Sequence, residues 1–125
     1  MMQLITVTIA LSSPSALSRM RSYKRRFDLG HSCQIHHIIP RQAFGVRRHL
    51  LDGVDIEARA NVMLMPSRVE HPFCTRRPLH DGGHMKYNEH VVRRLSACRT
   101  AEDIAALQTE LRHRLRRGDS TLPWR

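Results

Sequence analysis

Two short apolar runs, each stopped by a proline, limit the β-structure this chain can form: Cys33-Gln34-Ile35-His36-His37-Ile38-Ile39-Pro40 and Asn61-Val62-Met63-Leu64-Met65-Pro66. Proline has no backbone N–H to give to a ladder, so it closes a strand. Runs this short read as small strands, not as the staves of a large sheet. The rest of the chain reads as helix and loop. Arg41 to Leu51 predicts a short helix ended by Asp52-Gly53, and Ser67 to Pro78 predicts a loop. His84 to Leu95 predicts a helix with Met85, Val91, Val92 and Leu95 on its apolar stripe. Thr100-Ala101-Glu102-Asp103 resembles a capping box, with Asp in place of the usual Glu. The helix that follows places Ile104, Leu107, Leu111 and Leu115 on one face, Arg112, Arg114, Arg116 and Arg117 on the other, and Gly118 at its end. Before these elements, Ile5, Val7, Ile9 and Leu11 alternate with smaller residues and predict a strand. Arg19 to Arg26 reads as a basic linker.

With 125 residues the chain suits one domain. The expected division is a strand-like segment and basic linker over 1–30, the working domain over 31–118 and a C-terminal tail over 119–125. Lys plus Arg is 21 against 11 acidic residues, a formal charge of +10. Such an excess points to an acidic partner, with nucleic acid first. Only Lys24 and Lys86 are lysines, and arginine makes the bidentate phosphate contacts that lysine cannot. Aromatic residues are 5%, which disfavours a platform that stacks bases on rings. No apolar run is long enough to span a membrane. The three cysteines, Cys33, Cys74 and Cys98, are odd in number and never spaced C-x-x-C. They support neither a disulfide framework nor a cysteine-rich zinc site, so a reducing, intracellular compartment is the simpler expectation. Secretion is the rival, with Ala16-Leu17-Ser18 as a weak cleavage site.

Histidine carries the chemistry. Of nine residues, four fall into two tight pairs, His36-His37 and His80-x3-His84. Neighbours in a strand point to opposite faces, so His36 and His37 divide their labour: one imidazole can hold a metal while the other faces water. His80 and His84 stand one helical turn apart, so both rings can reach one ion. Three imidazoles then form a facial triad with positions left open for water and a phosphate oxygen. His31, His49, His71 and His113 lack partner spacing and read as structural, and His90 as a surface residue. Tyr87 reads as core or as support for the site.

The ordered set Ile35-His36-His37-Ile38-Ile39-Pro40, then Gly53-Val54-Asp55-Ile56 and Asn61, then His80-x3-His84-x2-Tyr87, resembles the HNH/endonuclease VII superfamily, and most closely its AHH-type branch. Ile35 stands in the place of that branch's alanine. Gly82-Gly83 sits between two histidines where a regular helix would be costly. The resemblance covers about Cys33 to Leu115. It implies an α+β fold with a small ββα-metal (His-Me finger) core and flanking C-terminal helices. By position it makes His36, His80 and His84 the metal ligands and His37 the general base, with Asn61 bonding backbone near His37 to orient its ring. The implied cofactor is one divalent ion, Mg²⁺ or Zn²⁺. The implied activity is hydrolysis of phosphodiester bonds, with DNA favoured over RNA. Arg25, Arg26, Arg41, Arg76 and Arg77 are the candidate nucleic-acid contacts. The rival is a non-catalytic nucleic-acid-binding module with a structural histidine–zinc site. A toxin role would add an immunity protein as partner.

Overall fold

The computed structural model describes residues 16–26, 32–69 and 75–125. The expected strand at Ile5–Leu11, and His31, His71 and Cys74, lie outside the described residues.

Both proline-stopped runs form strands. β1 spans Cys33–His37 and β2 spans Val62–Pro66. They pair antiparallel, with Cys33 opposite Pro66, His36 opposite Met63 and His37 opposite Val62. The pairing continues one step past β1, where the Ile38 N–H donates to the Asn61 carbonyl at 2.7 Å. By strand alternation Gln34, His36, Met63 and Met65 share one face, and Cys33, Ile35, His37 and Leu64 the other. Met63 and Met65 are buried in the core with Ile38, Ile39, Tyr87, Val91, Leu95 and Leu111.

The first helix among the described residues, α1, spans Ala16–Arg26. The basic run Arg19–Arg26 is therefore helical and not the linker expected from its charge. It packs against both strands, which sequence-local charge counting does not register. The single helix expected over Arg41–Leu51 is two pieces, a 3-10 turn at Arg41–Gly45 and α2 at Arg48–Leu51. Gly45 and the β-branched Val46, both poor helix formers, stand at the break.

Helix α3 spans Met85–Ser96 and buries Tyr87, Val91 and Leu95, an i, i+4, i+8 stripe. Met85, expected on that stripe, is 69% exposed at the first turn, and Tyr87 fills the core position instead. Helix α4 spans Ala101–Arg116 and buries Ile104, Leu107, Leu111 and Leu115 as expected, with Gln108 beside them. Its capping box is complete. The Asp103 N–H donates to Thr100 Oγ1, and Asp103 Oδ2 accepts from the Thr100 and Arg99 N–H groups.

Gly118 ends α4 at φ +65°, where a Cβ would sit 2.3 Å from the Arg76 carbonyl. The Gly118 N–H bonds the Leu115 carbonyl and the Asp119 N–H bonds the Arg114 carbonyl, closing a Schellman motif. Residues 119–125 are not a free tail. Leu122 is buried, Trp124 Nε1 donates to the Leu79 carbonyl, and the Tyr87 N–H donates to the Trp124 carbonyl. The return brings an aromatic ring to the histidines. Among the described residues no helix is long and apolar enough to cross a membrane.

Candidate metal centre and the adjacent histidine

His36, on the core-facing side of β1, is buried at 1% exposure. His80 is placed by its own backbone, whose N–H bonds the Pro66 carbonyl at the end of β2. His84 is the residue immediately before α3. The pair His80-x3-His84 is thus not one helical turn. Gly82-Gly83 disfavours helix, α3 starts after it, and the chain bends to bring His80 back to the sheet. The convergence survives this change of geometry: one ring nitrogen from each of His36, His80 and His84 lies within 4.8 Å of the others.

Neighbouring amides set the tautomers. His80 Nδ1 is 2.8 Å from Gln34 Oε1 and His84 Nδ1 is 2.9 Å from Asn88 Oδ1. A carboxamide oxygen only accepts, so each Nδ1 donates, which in the neutral imidazole leaves the Nε2 lone pair for a ligand bond. His36 Nε2 is buried with no hydrogen-bond partner. An orphaned nitrogen beside two pre-set lone pairs is what a ligand set without its cation looks like, so these residues fit a divalent transition metal. Burial, and then the neighbouring His80, His84 and His37, hold the His36 imidazole well below its ordinary pKa. Burial, and then His84, lower His80. Both shifts favour the neutral imidazole, the form that ligates.

Rings wall the cluster in. Tyr87 meets His36 edge-on at 5.0 Å and donates its hydroxyl to the Ile38 carbonyl at 2.6 Å. Trp124 tilts over His84 at 4.9 Å.

His37 turns the other way. Its Nε2 lies 3.1 Å from Glu57 Oε1, and its side chain is 28% exposed. Glu57 was not singled out from the sequence. It is twenty residues away on an irregular segment, and a lone carboxylate there carries no spacing signal. Arg41, 79% exposed, approaches the same carboxylate oxygen at 3.5 Å.

Asn61 is fully buried and does not touch the His37 ring through any hydrogen bond recorded among the described residues. Its Oδ1 accepts from the Ile39 N–H at 2.8 Å, and its Nδ2 donates to the Ile39 and Ile56 carbonyls. The carboxamide thus acts as a surrogate peptide group, extending the ladder two residues past His37. Gln108 Nε2 supports it from α4 at 3.2 Å. Asn61 therefore positions the end of β1.

The candidate arginines scatter. Arg77 is half-buried and donates to the Leu64 carbonyl at 2.5 Å. Arg76 is exposed, and Arg25 bonds Ser22 within α1. Arg26 is exposed on the same helix.

A two-stranded antiparallel sheet and a following helix that bring three imidazoles together define the small α+β class with a ββα-metal core. A family model described as a nuclease family of the HNH/ENDO VII superfamily with conserved AHH matches residues 18–117. The chain belongs to this AHH nuclease family. Neither a curated protein nor a solved structure matches it.

Proposed function

We propose that this protein is a metal-dependent endonuclease that hydrolyses phosphodiester bonds, with DNA the favoured substrate. The observation that carries this reading is the division between neighbours on β1. His36 joins two other imidazoles on one side, while His37 is half-exposed on the other and held by a carboxylate. His36, His80 and His84 would hold the ion. Three imidazoles suit Zn²⁺, Ni²⁺ or Co²⁺ better than Mg²⁺. A divalent cation bound there supplies charge neutralisation to the phosphate and to the leaving 3′-oxygen.

The chain's own residues do the rest. With its Nε2–H given to Glu57, His37 presents the Nδ1 lone pair to a water and takes its proton as that water attacks phosphorus. Glu57 fixes the tautomer and stabilises the imidazolium that forms. Arg41, beside Glu57, reaches into solvent where a phosphate oxygen would arrive.

The rival reading, a closed structural zinc site, needs a fourth protein ligand. Among the described residues three imidazoles converge, and the nearest further one in sequence, His37, bonds Glu57 instead. That favours a site with an open position. The test is nicking of supercoiled plasmid across a panel of divalent metals, with chelator and with His37→Ala alongside. Metal-dependent nicking abolished by chelator supports the reading. Tight metal binding with no nicking under any metal supports the structural site.

A further inference from the structure

Among the described residues β2 pairs with β1 alone, so the carbonyls on its other edge need partners. Arginines supply them. Arg112 Nη2 donates to the Val62 carbonyl at 3.0 Å and also to the Arg59 carbonyl, while Arg77 Nη1 donates to the Leu64 carbonyl. Arg59 and Arg116 stand beside these two, exposed and with no side-chain hydrogen bond of their own among the described residues. Burial, and then Arg116, lower the Arg77 guanidinium, and burial, Arg116, Arg77 and Arg59 lower Arg112. Arg112 thus lies close enough to feel Arg116, Arg77 and Arg59, and Arg77 close enough to feel Arg116. No ion pair joins any of them to a carboxylate among the described residues, whereas Arg41, Arg94, Arg117 and Arg125 each have one and Arg114 has two.

Edge capping accounts for Arg77 and Arg112. It leaves Arg59 and Arg116 unexplained, since neither donates a side-chain hydrogen bond to the strand. Gathering four cations with no ion-paired carboxylate among the described residues is unfavourable for the free chain and favourable once an anion lies across them. The cluster also reaches a cleft of about 670 Å³ between α1 and the sheet, which Arg59 and Arg77 line together with Arg19 and Thr75. Its place in the ladder sets its distance from the chemistry. Val62, whose carbonyl Arg112 holds, is the cross-strand partner of His37, so one strand spacing of about 5 Å separates them.

We infer that Arg59, Arg77, Arg112 and Arg116 form a phosphate-binding track along the edge of β2 opposite β1, seating the nucleic-acid backbone that flanks the bond under attack at His37. The identity of the occupant rests on the nuclease reading above. Arg77 and Arg112 orient the track because their guanidinium groups are fixed to the strand, and Arg59 and Arg116 contribute the free hydrogen-bond donors.

The experiment is a salt titration of binding to a short fluorescein-labelled DNA duplex, read by anisotropy, with chelator present so that no cleavage intervenes. The variant is Arg59→Gln with Arg116→Gln, which leaves the edge bonds of Arg77 and Arg112 in place. The control removes the same charge from two exposed arginines elsewhere, Arg48→Gln with Arg99→Gln. The track predicts that the first pair lowers the slope of log K against log salt by about 2, at ~0.9 per lost phosphate contact, and that the control lowers it less. Equal slopes for variant and control, or no binding by the unmodified chain at low salt, overturn it. A chain that binds with these slopes and never cleaves contradicts the nuclease reading and leaves the track standing.

Discussion

Asn61 shows how much one side chain can settle here. It satisfies the Ile39 N–H, the buried Ile39 carbonyl and the partly buried Ile56 carbonyl, and Gln108 satisfies it in turn. Asn61→Ala removes those partners and should cost about 2–4 kcal/mol, since each buried group left unsatisfied costs ~1–3 kcal/mol. Asn61→Asp keeps the shape but presents an acceptor to two carbonyls and buries a charge. It should destabilise at least as much as Ala, the reverse of what isosterism suggests. Urea midpoints of the two variants check this.

Trp124 is the only tryptophan and lies 4.9 Å from His84. Adding Ni²⁺ or Co²⁺ should therefore change its fluorescence. His36→Ala, His80→Ala and His84→Ala should each weaken that response at least tenfold in metal concentration, and His37→Ala should leave it intact. A response unchanged in all three ligand variants would remove the proposed metal centre.

At the level of elements, the local signals were legible and the returns were not. The proline-stopped strands, the α4 stripe, the capping box and the Gly118 stop all reside in neighbouring residues, where periodicity and end signals act. Glu57, Gln108 and Trp124 reach the site from 20 or more residues away, and no pattern in a single chain announces such a contact. The basic run at Arg19–Arg26 misled for the opposite reason: its charge describes a solvated surface, and a helix solvated on one side has that too.

The capping box gives this level its prediction. Thr100→Ala should cost about 1 kcal/mol. Hydrogen bonds from the Arg99 and Thr100 N–H groups hold the Asp103 carboxyl below its ordinary 3.8, and bonds from Thr121, then Arg114, do the same for Asp119 at the other end of α4. A lowered carboxylate pKa stabilises the fold above the ordinary value, and that contribution is lost as pH falls through the folded one. Thermal melts should therefore show stability falling below about pH 4, with a smaller fall in Asp103→Asn.

Across the whole molecule, the +10 charge and the histidine pairs point to one activity from different directions. Charge draws the chain to a polyanion, and the imidazoles give it something to do there. The sequence order Ile35-His36-His37, Asn61, His80, His84 was enough to place the ββα-metal core. It was not enough to place His80, because two glycines replace a helical turn with a bend whose path depends on the Pro66 carbonyl.

The central claim is the division of labour between adjacent histidines, and the single-turnover cleavage rate of His37→Ala at saturating metal tests it most directly. Saturation removes any effect on metal affinity, and a single turnover removes product release. Losing a general base typically costs about 10²–10⁴-fold. The rate of His37→Ala should fall by a factor within that range with the metal still bound. Cleavage by His37→Ala at the unmodified rate would contradict it.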